Sequence, residues 1–447
     1  MHLSAHKFRW LMPLLALVLV ACGAQADAQL PENTLITNTA PALTPTATPL
    51  GMAQAVTPLP TTELTAIPAP SLKIWWPEAL APVDRADVTN LLDEQIGEFV
   101  GGSDTPTDIE FRLRRYDDVG GIIATLQAAS EVAPGALPDL TLIRREDLVS
   151  LAQAGLIYPL EGFVASAIIG NLYDSALELG QIDGRIYGLP YTLDALVMAY
   201  QNLENQPVAG WSFVDILERE QDFRFPARRI NTVNNTFLLQ YLDAGGTLPE
   251  PGQEMTLDAD ALLAVLQFYE RAYALGLVDE TVFDYGQPQE YQTELATGEI
   301  DAALLHASTY FAMRDSGTPL FMDTVPTVSG EPTTLVTGWM WVLTTNNADR
   351  RALAMSFVNW MMETNRQRTY TQALNALPSQ RQALQRMDGQ RMDVELVDAM
   401  LSNSIIPPPE DVTGPLGRLM QSALNAVLSG ETTAEDAVQN VLDQLGE

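Results

Sequence analysis

From Leu72 onward the sequence predicts an α/β fold, because compact apolar runs of strand length alternate with segments of helical periodicity. Hydrophobic residues make up 47% of the 447, enough for two or three buried cores. Leu72-Lys73-Ile74-Trp75-Trp76 is apolar but for one lysine and reads as a buried strand. Residues 86–99 then set Leu91, Leu92, Ile96 and Phe99 at three- and four-residue spacing, one apolar face of a helix. Ile109, Phe111 and Leu113 alternate with Glu110, Arg112 and Arg114, the period of a half-buried strand. A short helix over 122–129, a buried strand over 139–143 and a helix over 146–154 stopped by Gly155 complete a β-α-β-α series. Such a series leads us to expect a largely parallel sheet.

The second half is more helical. Residues 258–275 carry Leu262, Val265, Leu266, Tyr269 and Tyr273 on one face and stop at Gly276. A Met- and Trp-rich helix follows over 350–363. Leu416, Leu419, Met420, Ala423, Leu424, Val427 and Leu428 keep helical spacing up to Gly430. Thr432-Thr433-Ala434-Glu435 reads as a capping box opening a last helix through Val438, Val441, Leu442 and Leu445. The polar stretch 386–395 has no periodic signal, and no internal repeat is seen.

The first 70 residues are of another kind. Residues 1–21 have basic Lys7 and Arg9 followed by twelve uncharged, mainly apolar residues, the layout of a secretory signal and too short to span a bilayer. Leu19-Val20-Ala21-Cys22-Gly23 closes that run and resembles a bacterial lipobox, in which the cysteine is diacylated. Residues 31–70 hold 8 Pro, 10 Thr and 7 Ala, with Glu32 and Glu63 as the only charges. So few apolar groups cannot offset chain entropy, so 22–70 is expected to be an extended linker on a lipid anchor at Cys22. The anchor would hold the protein on the extracytoplasmic face of the cell membrane.

Charge removes several function classes. With 24 basic against 57 acidic side chains, a formal charge of −33, the chain lacks the cationic surface that nucleic acid or an anionic lipid face requires. One cysteine and three histidines, His2, His6 and His306, leave no set for a metal centre or a Ser-His-Asp triad. Neither metal nor cofactor is expected.

Several phrases occur in one order: the opening strand; Pro138-Asp139-Leu140; Ala154-Gly155-Leu156-Ile157-Tyr158-Pro159-Leu160; Asp183-Gly184-Arg185-Ile186-Tyr187-Gly188-Leu189-Pro190; Val197-Met198-Ala199-Tyr200-Gln201-Asn202; Thr297-Gly298-Glu299-Ile300-Asp301; and Gly338-Trp339. Together they resemble the extracellular solute-binding proteins of ABC importers, in the branch that includes maltose-binding protein. The resemblance covers essentially 72–447. It implies a two-lobed periplasmic-binding-protein-like fold with hinge crossings and a ligand cleft between the lobes. The lobes would be 71–190 plus 304–342 and 191–303 plus 343–447. It also implies a monomeric receptor, not an enzyme, that closes on a small solute, a sugar or oligosaccharide by preference, and delivers it to an ABC permease. Two departures from the usual pattern, Thr337-Gly338-Trp339-Met340-Trp341 and Tyr200-Gln201-Asn202, bear on the ligand class.

Candidate ligand contacts follow from strand ends and crossings. Trp76 and Glu78 close the first strand; its two tryptophans face opposite sides, so at most one reaches a cleft. Arg144, Arg145 and Glu146 follow the strand at 139–143, at the carboxyl end where open α/β sheets bind ligands. By the resemblance the chain would cross between lobes near Leu189–Asp194, again near Ala303–Ala307 and a third time near Val342–Thr345, and Tyr191, Asp194, His306, Tyr310 and Trp339 flank those crossings. Trp and Tyr suit sugars because a flat ring packs on C–H groups while neighbours bond the hydroxyls. Two other readings stay open at this point: a surface-anchored glycan hydrolase with paired carboxylates, such as Asp117-Asp118 or Asp258 and Asp260, and a surface-interaction lipoprotein.

Overall fold

The computed structural model describes residues 71–102, 107–201, 210–228, 232–249, 255–390, 392–408 and 410–446. The expected signal, Cys22 and the linker lie outside the described residues. Among those described, the strands are β1 (Ser71–Pro77), β2 (Asp108–Arg114), β3 (Leu140–Arg144), β4 (Gln181–Ile182), β5 (Arg185–Ile186), β6 (Gly188–Tyr200), β7 (Ala302–His306), β8 (Phe321–Asp323), β9 (Val336–Leu343) and β10 (Leu377–Pro378).

The main sheet runs β10-β6-β9-β3-β1-β2, with β7 and β8 also paired to β6. Only β1 with β2 and β1 with β3 are parallel; β9 returns antiparallel between β3 and β6. The expected largely parallel sheet is therefore a mixed one, because β9, inserted between β3 and β6, runs against both. Strand β6 is thirteen residues long and changes partner midway. Gly188 to Ala195 pair with β9, and Leu196 to Tyr200 pair with β7 and β8. The register slips between Pro190 and Thr192. Close approach there needs Gly338, since a Cβ on it would stand 2.2 Å from the Thr192 carbonyl oxygen. A tight turn at Asp183-Gly184, both with positive φ, joins β4 to β5.

Most helices form where their apolar spacing places them: Ala86–Gly102, Ile122–Val132, Arg145–Gln153, Ala259–Ala274 and Glu410–Leu428. The Asp258 side chain caps its helix by accepting the Ala261 N–H. The last helix, Ala434–Leu445, is capped by Thr433 through the Asp436 N–H, one residue later than the Thr432–Glu435 spacing suggests. The Met-rich helix is Ala348–Met361, and a second, Thr364–Ala373, follows it at once.

Three buried clusters divide the interior. On one face of the first sheet, Leu72, Ile74, Trp76, Leu140, Leu189, Tyr191 and Trp341 pack under Ala86–Gly102, Ala348–Met361 and Thr364–Ala373. The opposite face gives Trp75, Ile143, Leu193, Met340 and Val342 to a cluster that continues past the partner change through Val197, Ala303, Leu305 and Tyr310. The third cluster joins Leu196, Met198, Tyr200, Ala302 and Leu304 to Ala259–Ala274, Glu410–Leu428 and Ala434–Leu445. This packing departs from the expected lobe boundaries. Residues 348–373 pack with the first sheet, not with the chain's C-terminal helices. Strand β7 and β8 pair with the far half of β6, while β9 alone of 304–342 lies in the first sheet. The resemblance that implied those boundaries rests on short phrases, and these do not fix which strands each later helix covers.

Candidate binding corner at the strand ends

Because β1 is parallel to both β2 and β3, the carboxyl ends of all three lie together, with Pro77 opposite Arg114 and Arg144 opposite Trp339 of β9. Charged and aromatic side chains from four segments converge there. The Trp339 ring is half-buried and takes the edge of Tyr116, centroids 4.8 Å apart at 82°. The Arg144 guanidinium stands 4.6 Å from the Tyr116 ring centre and 5.5 Å from that of Trp339. Asp117 and Glu146 hold it from two sides, the Glu146 Oε1 at 2.8 Å from Nε. Burial works against the Arg144 charge, but Glu146 and Asp117 outweigh it and raise the pKa above the usual arginine value.

Both carboxylates are well exposed, at 70% and 60%, so the pairs fix orientation more than stability. Exposed ion pairs of this kind contribute about 0–1 kcal/mol. Tyr116 locks the corner from behind: its hydroxyl donates to Asp147 Oδ2 at 2.6 Å and accepts the Arg144 backbone N–H at 2.9 Å. Burial and the bond to Asp147 push that phenol far above its ordinary pKa, so it stays neutral. Chemically the corner offers an apolar plate flanked by a fixed donor fork and open carboxylate acceptors.

The other expected contacts are placed variously. Glu78 is exposed at the mouth of β1, beside Arg115, whose pKa is raised mainly by its pairing with Asp118. Arg145 turns inward, its Nη1 donating to the Leu179 and Gln181 carbonyls at 3.0 and 2.9 Å, and burial lowers its pKa. Trp76 and Tyr191 are fully buried in the first cluster, in edge and tilted contact with Trp341. Tyr310 is buried as well; its hydroxyl donates to the Leu320 carbonyl and accepts from Arg314. None of these three rings faces solvent. His306, half-buried, ends β7 and precedes the helix Ala307–Asp315 without capping it. Asp194, also partly buried, lies on β6 opposite Thr337, just before the partner change.

Tyr116 and Asp117 belong to the corner and were not among the expected contacts. Their signal was present, a tyrosine among charges just past a predicted strand end. A groove of about 470 Å³ opens elsewhere, lined by Arg85, Asp87, Leu91, Asp315 and Arg368. Its lining shares no residue with the corner, and its Arg85 is taken by Asp87 and the Ala373 carbonyl. Among the described residues, no group of three or more His, Cys, Asp or Glu could hold a metal, and no helix is long and apolar enough to cross a membrane.

Comparison with known proteins agrees with this architecture. The maltose-bound MalE3 of T. maritima superposes with a TM-score of 0.61, at 16% identity, over 85% of this chain and 99% of that one. A cyclic alpha-maltosyl-1,6-maltose binding protein from Arthrobacter globiformis gives 0.64 at 14% identity, over 84% and 97%. A family 1 extracellular solute-binding protein from Alicyclobacillus acidocaldarius gives 0.64 at 18%, over 85% and 98%. At these identities the likeness is one of fold, the two-lobed periplasmic-binding-protein architecture. Over 89 residues the chain is 30% identical to provisionally named binding proteins of Brucella abortus and Brucella suis. That match spans about a fifth of those relatives, 21% of their length and 18% of this chain. The model of the bacterial extracellular solute-binding protein family matches residues 104–395, well over half the chain, and the chain belongs to that family.

Proposed function

We propose that the protein is a lipid-anchored receptor that captures a sugar or oligosaccharide between two lobes and passes it to an ABC permease. The observation that carries the ligand class is the half-exposed Trp339 beside the Arg144 pairs, at the shared carboxyl ends of the parallel strands. A polyhydroxylated ring needs such a surface: its C–H face covers the indole while its hydroxyls reach Arg144, Asp117, Glu146 and Glu78. The bound maltose of one structural neighbour and the cyclic maltosyl-maltose named for another favour the same class. We assign the contacts to Glu78, Tyr116, Asp117, Arg144, Glu146 and Trp339, with His306 at the second crossing.

The lobes would meet along β6, where its pairing passes from β9 to β7. The first lobe would take the first sheet with 348–373, and the second the far half of β6 with the C-terminal helices. Cys22 would carry the lipid, and 22–70 would hold the receptor off the extracytoplasmic face of the membrane.

A thermal-shift screen of the full chain against neutral mono- and oligosaccharides, amino acids, polyamines and phosphate tests the reading. A ligand at 100 times its Kd adds about 2.7 kcal/mol, a shift of several degrees for lobes of this size. One saccharide class should shift the chain, and Trp339→Ala should lose the shift while keeping the fold. A shift only with amino acids, polyamines or phosphate would overturn the sugar assignment.

A further inference from the structure

We propose that Asp194 is a positioning residue: from the crossing strand it caps, in trans, the helix that begins at the second crossing. The helix Ala307–Asp315 follows β7 directly, and its own cap residue, His306, makes no side-chain capping bond. The first N–H groups of a helix have no partner within it. Asp194, 114 residues earlier in the chain, fills the vacancy. Its Oδ1 accepts the Ser308 N–H at 3.1 Å and the Ala195 N–H at 2.9 Å, and its Oδ2 accepts the Ser308 hydroxyl at 2.6 Å.

The placement gives the bond its consequence. Asp194 pairs with Thr337 of β9, at the end of the first sheet, and Leu196, two residues on, opens the pairing with His306 of β7. One carboxylate thus fastens the helix that follows β7 to β6, the strand that pairs with β9 in one half and with β7 and β8 in the other. Its negative charge also sits at the positive end of the helix dipole. Three of the roughly four lone-pair directions of the carboxylate are spent on this clasp, so its principal work is to hold Ser308 and the start of the helix. The clasp stands on geometry alone; only its effect on ligand affinity rests on the receptor reading above.

The test compares Asp194→Asn, Asp194→Ala and Ser308→Ala in the full chain. Asparagine can keep the clasp, its Oδ1 accepting both N–H groups and its Nδ2 donating to the Ser308 hydroxyl; alanine cannot. Amide exchange read residue by residue by NMR should speed up at Ser308 by about tenfold or more in Asp194→Ala, and stay within about threefold of the parent in Asp194→Asn. Ser308→Ala keeps the N–H bond and should exchange at position 308 at close to the parent rate. Unchanged exchange in Asp194→Ala would overturn the clasp. The second arm is calorimetric titration with maltotetraose. If the parent binds it, Asp194→Asn should keep Kd within about threefold while Asp194→Ala weakens it by about tenfold. Equal loss in both variants would make Asp194 a direct charged contact and overturn the positioning role. If the parent does not bind maltotetraose, that choice of sugar fails, and the exchange arm decides the clasp by itself.

Discussion

Two aromatic groups built from the same residue types behave differently in this protein. Trp76, Tyr191, Trp341 and Tyr370 form a fully buried quartet with ring centroids 5.3–6.3 Å apart. Among the described residues, the Tyr191 hydroxyl and the Trp341 indole N–H have no hydrogen-bond partner. Trp339 on β9 and Tyr116 in the bend just after β2 form the other group, and share their corner with Arg144 and its carboxylates. Trp339 and Trp341 are only two residues apart on β9. What separates core from site is therefore the neighbour across the sheet: Trp339 lies opposite Arg144, the last residue of β3, where charge can be kept without full desolvation, and Trp341 lies opposite buried Leu142.

The largest expected effect tests that division by truncation. Trp341→Ala or Trp76→Ala should cost about 3–5 kcal/mol in urea unfolding, the range for emptying a large aromatic site in a close-packed core. Trp339→Ala should cost less, about 1–2 kcal/mol, because its ring is only partly buried and its removal opens to solvent rather than leaving a closed cavity. Equal losses at 339 and 341 would break the distinction.

Next in size is a buried charge without a cation, the counterpart of Arg144. Asp323 on β8 is 3% exposed; burial pushes its carboxyl up to about 6, well above the usual aspartate range. Its one described hydrogen bond within the backbone is from the Thr324 N–H, and Asp393 adds repulsion. A raised carboxyl means that the folded state holds the proton more tightly than the unfolded chain. Stability is then fullest below about pH 4, falls as pH rises through 6, and stays reduced above. Asp323→Asn should remove the penalty, stabilising the chain by about 1–3 kcal/mol at pH 7.5 and by much less at pH 4.5. Unfolding midpoints at the two values check it; an equal gain at both would show that the carboxylate is not the cause.

The smallest effect belongs to the exposed ion pairs. Arg144→Met should change stability by about 0.5 kcal/mol or less, since Asp117 and Glu146 are well solvated and lose little. Thermal unfolding at low and moderate salt checks this. A large loss would mean that the corner is structural rather than poised for a ligand.

Much of the fold was legible because periodicity is local. Strands β1, β2 and β3 and the helices near 86, 122, 146, 258 and 416 all lie where apolar spacing placed them. The opposite facing of Trp75 and Trp76 also followed from strand geometry, and they enter different clusters. Pairing direction was not legible, because whether β9 runs with or against β3 depends on residues almost 200 apart. In the candidate corner, Arg144 and Glu146 were singled out from their position at a strand end, and Trp339 from its place beside a proposed crossing. Asp117 stood in the sequence as half of a carboxylate pair just past a strand end, but its tie to Arg144 spans 27 residues and was not legible there. Trp76 and Tyr191 misled for the opposite reason: a tryptophan at a strand end and a tyrosine at a crossing look alike in sequence whether the strand stops above or below the surface.

The order in which the first sheet is assembled has a consequence for the chain's synthesis. Its buried face needs β9, the two helices between residues 348 and 373, and β10, all of them late in the sequence. A ribosome delivering the chain from its N-terminus therefore exposes β1, β2 and β3 long before the partners that cover them exist. Early closure into a native core is denied by connectivity rather than by any weak propensity, and the nascent chain stays open until about residue 378 has emerged. That interval is the one in which an unfolded chain can still be threaded through a narrow pore.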